Sequence, residues 1–318
     1  MGLRGRVQRD RPLIVRGGLL EATLHVRFVG LLEVPLRLRF APLLVAVLLA
    51  GCATARVGQA IRFENVTPGA PLAIDATLVL PPGAGPFPAV VQLHGCGGVE
   101  AQSFRWARWL ADHGYAALVV DSFRARHVKG DCRTGPDEPP VTARFDDAFG
   151  ALRYLQARPD IRGDRVGVIG WSQGGVYAIA VINGPSLERA RRRGVALPTV
   201  GFAASVGVYP GGCFSLVKEQ VVRPLLVLIG EADDWTPAAT CREMVEAMRA
   251  RGADATIVTY PGAYHYFDVE GQPREILAEV ENDNRPGGYG ATVAYQPEAA
   301  ADAHRRIEQF LGRHLRRP

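Results

Sequence analysis

Short apolar runs alternate with longer amphipathic stretches from about residue 61 to the end of the chain. The apolar runs are rich in Val, Ile and Leu, which is typical of strands buried on both faces of a sheet. Strands are predicted at 72–80, 89–93, 116–120, 165–169, 200–209, 224–229 and 255–260. The first of these alternates only loosely, so it is predicted to be an antiparallel edge strand.

Helices are predicted between these strands, because apolar residues recur there at a spacing close to 3.6. They cover about 102–112, 141–158, 176–182, 236–251 and 298–315. The arginine-rich segment 185–197 is interpreted as a solvated helix face or loop. Strands that alternate with helices predict a mostly parallel, doubly wound α/β sheet with helices on both faces, and ligands of such sheets bind outside the carboxyl ends of the strands.

A Gly-x-Ser-x-Gly segment, GWSQG at 170–174, lies between the apolar run 165–169 and the helix predicted at 176–182. At a strand-to-helix junction this pattern is typical of a nucleophile elbow, in which a strained turn exposes a serine hydroxyl. Ser172 is therefore the candidate nucleophile. A glycine-rich turn with a buried serine is the alternative.

A serine hydroxyl needs a neighbouring base, and the base needs an acid that orients it. In the elbow arrangement these follow the serine in the order acid, then histidine. Asp233 and Asp234 both follow the strand 224–229, and Asp233 is preferred by its spacing from Gly230. His265 follows the next strand, so Ser172, Asp233 and His265 form the predicted triad.

The tetrahedral oxyanion of acyl transfer needs two backbone N–H donors. Gln173, directly after the serine, is predicted to supply one of them. The glycine-rich loop 94–98 is predicted to supply the other, from Cys96 or, as second choice, Gly97. His94 is interpreted as a residue that holds this loop by hydrogen bonds.

Five segments together resemble the dienelactone hydrolase family. They are HGCGG at 94–98, DSF at 121–123, GWSQG at 170–174, GEADDWTP at 230–237 and YPGAYH at 260–265. The resemblance covers roughly residues 65–316 and implies an α/β-hydrolase fold that hydrolyses small esters or lactones without a metal or other cofactor. The well-known members use a cysteine nucleophile where this chain has Ser172, which favours an ordinary serine esterase.

Three further residues are candidates for substrate binding. Arg124 and Arg126 follow a strand end and could hold a substrate carboxylate, although exposed arginines are an equal alternative. Trp171 precedes the nucleophile. The segment 282–290 is interpreted as a pocket rim or a surface loop.

Charge argues against a nucleic-acid partner. The chain of 318 residues has a formal net charge of +5, and residues 1–51 alone carry eight arginines and three acids. The remainder is therefore neutral, which leaves no bulk electrostatic attraction to nucleic acid.

The N-terminal region is predicted to be a targeting segment. Arg37 and Arg39 precede a short apolar core, which ends in Leu49-Ala-Gly-Cys52 and is too short to span a bilayer. We expect 1–33 to be an upstream extension, 34–51 a signal peptide, 52–60 a tether and 61–318 the catalytic domain. Cys52 resembles a lipidated cysteine, which implies a periplasmic, lipid-anchored envelope protein, at the outer membrane rather than the inner one; an ordinary signal peptide is the alternative.

Four cysteines remain if Cys52 carries lipid, and an even number in an exported protein predicts two disulfides. Pairing of Cys96 with Cys132 and of Cys213 with Cys241 is preferred among the three possible connectivities. Two other functions stay open for the same sequence. One is a non-catalytic envelope lipoprotein that binds a partner, and the other is a peptidase or acyltransferase that uses the same triad.

Overall fold

The computed structural model describes residues 58–130, 132 and 141–316. The predicted extension, the signal peptide, Cys52 and most of the tether lie outside the described residues. So do residue 131 and residues 133–140.

The described residues form a main sheet of eight strands and a separate two-stranded hairpin. The strands are β1 Gln59–Glu64, β2 Ala73–Val79, β3 Phe87–Leu93, β4 Ala116–Asp121, β5 Ile161–Trp171, β6 Ser205–Val208, β7 Leu225–Gly230, β8 Ala255–Tyr260, β9 Glu275–Glu281 and β10 Tyr289–Val293. The helices are α1 Ala101–Asp112, α2 Val141–Gln156, α3 Gln173–Ala180, α4 Gly184–Arg192, α5 Ala238–Ala250 and α6 Pro297–Leu311. None of the helices in the described ranges is both long and apolar enough to cross a bilayer.

The main sheet has the order β1-β2-β4-β3-β5-β6-β7-β8. β2 runs antiparallel to β1 and β4, and the strands from β4 to β8 are parallel. Every residue of β6 and β7 is buried, so helices cover both faces of the sheet there. The predicted doubly wound, mostly parallel sheet is confirmed.

Three local predictions need correction. The strand predicted at the edge, 72–80, is an interior strand, because β1 pairs outside it. β1 begins at Gln59, so the last two residues of the predicted tether belong to the sheet. The strand predicted at 200–209 is limited to Ser205–Val208.

The hairpin β9–β10 is not predicted by the sequence pattern. Most residues of β9 are exposed, and three glutamates interrupt the apolar residues of its sequence EILAEVE. The strand therefore lacks the longer apolar run that identifies β3 or β7. The hairpin is attached to the main fold through a bridge between Val293 and His265.

Candidate active site

The serine of the GWSQG segment lies in a sharp turn between β5 and α3. Its backbone has φ 52° and ψ −119°, a conformation that is strained for a residue with a side chain. A Cβ at Gly170 would lie 2.0 Å from the carbonyl oxygen of Gly174, and a Cβ at Gly174 would lie 2.1 Å from that of Leu93. The turn therefore requires glycine at both positions, and it places Ser172 at the carboxyl end of the sheet.

Asp233 and His265 form a buried pair at the ends of β7 and β8. Nδ1 of His265 lies 2.7 Å from Oδ2 of Asp233, and both side chains are 0% exposed. Oδ1 of Asp233 accepts hydrogen bonds from the N–H groups of Trp235 (3.0 Å) and Thr236 (2.8 Å). Because the carboxylate accepts from Nδ1–H, the other ring nitrogen, Nε2, is left as an acceptor.

Nε2 of His265 is buried and has no hydrogen-bond partner among the described residues. A buried acceptor without a partner is costly, and such atoms are common where a reaction takes place. The imidazole is held by rings on two sides, with its centroid 4.4 Å from that of Tyr209 and 4.8 Å from that of Trp235.

Ser172 and His265 both contact the short segment 208–211 at the end of β6. The N–H of Ser172 donates to the carbonyl of Val208 (2.9 Å), and the N–H of Gly211 donates to the carbonyl of Ser172 (3.2 Å). Tyr209, between these two contacts, carries the ring that packs on His265. The structure thus brings serine and histidine to one end of the sheet, although among the described residues no hydrogen bond joins the serine hydroxyl to Nε2.

Asp234 has partners of its own. Its carboxylate accepts hydrogen bonds from the N–H and hydroxyl of Thr292 in β10 (2.8 and 2.7 Å) and from Arg285 (2.5 Å). Burial acts to raise its pKa, but the hydrogen bonds from Thr292 and Arg285 outweigh burial and lower it below the ordinary value. Of the two candidate acids, Asp233 is the one in contact with His265.

The hairpin β9–β10 is tied to the loop that carries the acid. Nε1 of Trp235 donates to the carbonyl of Glu281 (2.9 Å), and Nδ2 of Asn282 donates to that of Asp234 (3.0 Å). The segment 282–290, interpreted above as a pocket rim or a surface loop, contains the turn of this hairpin. The hairpin as a whole holds Trp235, whose ring packs on His265.

The predicted oxyanion loop lies beside the serine. A Cβ at Gly95 would be 3.5 Å from Cβ of Ser172, and the N–H of Gly98 closes a turn on the carbonyl of Gly95 (3.3 Å). None of the hydrogen bonds among the described residues uses the N–H of Cys96. Gln173 is the first residue of α3, where the helix dipole favours negative charge.

Arg144 of α2 supports this loop from below, a role the sequence pattern did not predict. Its guanidinium is buried and donates to the carbonyl of His94 (2.5 Å) and to Oε1 of Gln173 (2.5 Å). It also lies over the rings of Phe123 and Tyr177. An arginine one turn before Ala148 on the apolar stripe of an amphipathic helix is the signal that could have identified it.

His94 holds the loop as expected. Its Nδ1 lies 2.7 Å from the carbonyl oxygen of Gly95, and Nε2 accepts from the N–H of Ser122 (3.3 Å). Burial, and then the charge of Arg144, lowers the pKa of His94 well below its ordinary value. The ring is therefore a neutral hydrogen-bonding support at neutral pH.

A second buried carboxylate, Asp268, was also missed. Its Oδ2 accepts from Gln102 (2.8 Å), Trp106 (2.9 Å) and Trp171 (2.9 Å), and its Oδ1 accepts from the hydroxyl of Tyr209 (2.7 Å). Burial, with the charge of Asp268 as a second cause, raises the pKa of Tyr209 well above its ordinary value. Asp268 therefore fixes the residue before the nucleophile and the ring that packs on His265.

The two arginines proposed for substrate binding are placed elsewhere. Arg126 donates to both carboxylate oxygens of Asp147 (2.7 and 2.8 Å) and to the carbonyl of Ser122. The side chain of Asp147 is 0% exposed, so it requires this cation. The side chain of Arg124 is 75% exposed. Of the three substrate-binding candidates, only Trp171 lines the cavity beside Ser172.

That cavity has a volume of about 20 Å³, little more than one water molecule needs. It is lined by His94, Gly95, Gly97, Gly98, Glu100, Gln102, Ser103, Trp171, Ser172, Tyr209 and Tyr266. Glu100 brings a carboxyl group to the cavity, and burial raises its pKa. No three His, Cys, Asp or Glu side chains of the described ranges cluster as metal ligands do.

Both disulfides of the preferred pairing are present. Cys96–Cys132 links the oxyanion loop to the connection between β4 and α2, and Cys213–Cys241 links the segment after β6 to α5. Cys213 and Cys241 are buried, whereas Cys96 and Cys132 are partly exposed.

The chain resembles known proteins both in sequence and in structure. The sequence profile of the dienelactone hydrolase family matches residues 74–315. Peroxisomal succinyl-coenzyme A thioesterase of Mus musculus is 26% identical over 277 residues, which cover 76% of this chain and 63% of the relative. Acyl-coenzyme A amino acid N-acyltransferase 1 of Mus musculus is 25% identical over 292 residues, which cover 81% of this chain and 67% of the relative.

A solved structure of a dienelactone hydrolase from Anabaena variabilis aligns with a TM-score of 0.52 at 19% identity, over 81% of this chain and 99% of that one. At this identity the likeness shows the fold, which is the α/β-hydrolase fold. The chain spans about 63% of the length of the thioesterase that it matches.

Proposed function

Since the family profile covers most of its length, this chain belongs to the dienelactone hydrolase family, and we propose that it is a serine hydrolase of small carboxylic esters or lactones. The observation that carries the proposal is the buried Asp233–His265 pair, whose free Nε2 lies at the same sheet end as the strained Ser172. A hydroxyl, an orienting acid and a base, in this chain order, are the components of acyl transfer through a serine ester.

In the proposed mechanism, Nε2 of His265 removes the proton of the Ser172 hydroxyl as Oγ attacks the carbonyl carbon. The N–H groups of Gln173 and Cys96, or Gly97 in place of Cys96, stabilise the oxyanion. The imidazolium then gives its proton to the departing alcohol. Water, deprotonated by His265, attacks the acyl-enzyme carbonyl. The imidazolium returns that proton to Oγ of Ser172 as the ester bond breaks and the acid is released. Asp233 keeps the proton on Nδ1 and stabilises the imidazolium.

Among the described residues no hydrogen bond joins the Ser172 hydroxyl to Nε2 of His265, so the mechanism requires one of the two side chains to move into contact with the other. Catalytic hydrogen bonds are often long in unliganded enzymes and tighten when the substrate arrives. Serine in place of the family's usual cysteine makes the nucleophile dependent on its base, since a serine hydroxyl is not ionised near neutral pH.

Replacing the nucleophile tests the proposal. We expect Ser172→Ala to lower kcat for p-nitrophenyl acetate by at least about 10³-fold, and to abolish labelling by a fluorophosphonate probe. Ser215→Ala, at an exposed serine, is the matched control and should keep wild-type turnover and labelling. Hydrolysis and labelling that survive Ser172→Ala would refute the assignment, and a folded wild-type protein that neither hydrolyses esters nor takes the probe would favour the binding-protein alternative.

Acyl transfer to an amine is a second candidate, because one relative is named an amino acid N-acyltransferase. Both reactions use the same acyl-enzyme, and only the acceptor differs. Addition of glycine or taurine during ester turnover separates them. Amide product in proportion to amine concentration favours the transferase, and free acid alone favours the hydrolase.

We further propose that the protein is exported and anchored by lipid at Cys52. The apolar core that ends in LAGC and the four cysteines paired as two disulfides support an oxidising destination. The mass of the mature protein from cells tests this: a chain that begins at Cys52 with added diacylglycerol mass is expected, and one that retains residues 1–33 would contradict it.

A further inference from the structure

Two cavities share one lining side chain, Gln102 of α1. The cavity beside Ser172 has a volume of about 20 Å³, and Gln102 is part of its lining. A second cavity of about 290 Å³ is also lined by Gln102, together with the aromatic side chains of Trp106, Trp109 and Tyr295. Gln102 lines both spaces and is therefore placed as the partition between the very small space at the nucleophile and a much larger one. The lining of the larger space mixes these aromatic rings with the polar side chains of Arg105, Asp268, Glu270 and His304.

The partition is held rigidly. Nε2 of Gln102 donates to Asp268 (2.8 Å) and to the hydroxyl of Tyr209 (3.3 Å). The same carboxylate fixes Trp171, a second wall of the small cavity. Gln102, Tyr209 and Asp268 are each less than one-tenth exposed, so none of these walls can swing into solvent. Buried polar networks that are fully satisfied make a single well-ordered arrangement.

An ester that reacts with Ser172 must place one of its two halves in the small cavity and leave the other outside. A cavity that holds about one water molecule can take the methyl group of an acetyl ester but not a chain of several carbons. We infer that Gln102 limits the acyl group to about the size of acetyl, and that it does so by closing the way to the second cavity. This inference rests on the proposed ester hydrolase activity.

The wild-type protein provides the first test. With p-nitrophenol as a constant leaving group that is too large for the small cavity, kcat/KM is expected to fall by about 10-fold or more from acetate to butyrate, and again to hexanoate. Equal or greater kcat/KM for hexanoate than for acetate would overturn the inference.

Removing the partition provides the second test. Gln102→Ala joins the two cavities, so the hexanoate-to-acetate ratio of kcat/KM is expected to rise by about 10-fold or more. Gln102→Met is the matched variant, because it fills the same space without the hydrogen bonds and should keep the wild-type ratio. Arg108→Ala, at an exposed position of the same helix, controls for general effects on α1.

The outcomes separate this inference from the proposed function. If no ester is hydrolysed and no fluorophosphonate is bound, the proposed function fails. If esters are hydrolysed but Gln102→Ala and Gln102→Met change the chain-length ratio equally, the hydrogen-bond network and not the wall sets the preference, and the inference fails. Thermal unfolding of each variant shows that the comparison is made on folded protein.

Discussion

Two adjacent aspartates, Asp233 and Asp234, hold different elements in place. Asp233 contacts His265, whereas Asp234 binds Thr292 and Arg285 of the hairpin region. A shift of one position in the chain therefore separates the acid that contacts His265 from an acid that attaches a neighbouring element.

The contrast predicts different results for the same substitution at the two sites. Asp233→Asn should lower kcat for p-nitrophenyl acetate by about 10³–10⁴-fold, because an amide favours the wrong imidazole tautomer. Asp234→Asn should keep kcat within a few-fold and instead lower the thermal midpoint, because the partly buried carboxylate loses its ion pair with Arg285 and weakens its hydrogen bonds with Thr292. Steady-state kinetics and thermal unfolding of both variants measure this. A larger loss of turnover in Asp234→Asn than in Asp233→Asn would reverse the assignment of the acid.

At the scale of elements, the oxyanion loop is held from two directions. Arg144 of α2 binds the carbonyl of His94 from beneath, and the Cys96–Cys132 disulfide ties the loop to the connection before α2. Gly130 packs against the same loop, since a Cβ there would lie 2.7 Å from the carbonyl oxygen of Gly97. An N–H donor has to be aimed within a few tenths of an ångström to stabilise an oxyanion, so these supports bear on turnover.

Removal of either disulfide gives a matched pair of variants, because the two disulfides close loops of similar length, with sequence separations of 36 and 28 residues. Cys96→Ser/Cys132→Ser and Cys213→Ser/Cys241→Ser are each expected to lower the free energy of unfolding by about 3–4 kcal/mol from chain entropy. Only the first pair should also lower kcat, by about 10-fold or more, with KM changed much less.

Denaturant unfolding and kinetics on both double variants distinguish stability from loop positioning. Equal kcat in the two variants would show that the disulfide at Cys96 does not position the loop. A mild thiol reductant should reproduce the effect in the wild-type protein, because Cys96 and Cys132 are the more exposed pair.

At the scale of the whole molecule, stability should depend on the protonation of a buried histidine. The pKa of His94 is lowered in the fold, by burial first and then by Arg144, from an ordinary value near 6.5. The unfolded chain therefore binds a proton below about pH 6.5 while the folded chain does not, and acid favours unfolding.

We expect the free energy of unfolding to fall as pH is lowered from 7 to 5.5, with a slope of up to about 1.4 kcal/mol per pH unit from this one group. His94→Gln should reduce that slope, although it lowers stability at pH 7. Urea unfolding at several pH values measures both. An unchanged slope in His94→Gln would show that His94 is not the group responsible.

Much of this architecture could be predicted from local pattern. The apolar runs locate β3, β4, β6 and β7 because those strands are buried on both faces. The glycines of GWSQG predict a turn that only glycine allows. The spacing that favoured Asp233 over Asp234 follows from where β7 ends. The cysteine pairing followed from connections that meet at one sheet edge.

What could not be predicted depends on partners far apart in the chain. From the sequence, Arg126 was a candidate for binding a substrate carboxylate. In the fold its guanidinium pairs with the buried carboxylate of Asp147 instead. Arg144 and Asp268 are polar residues whose partners are separated from them by tens of residues, and no local spacing indicates such pairs. The hairpin β9–β10 and the edge position of β1 were missed because exposed strands lack the apolar signal.

The attachment of the hairpin to Trp235 and Asp234 has an evolutionary consequence. An outlying ribbon with mostly exposed residues accumulates substitutions and insertions more readily than a buried strand. Because the end of β9 binds the indole of Trp235 that packs on His265, a change in this hairpin can alter the exposure of the imidazole to solvent while the central sheet stays as it is. Substitutions in the hairpin of related proteins can therefore change the surroundings of His265 while the main sheet is kept.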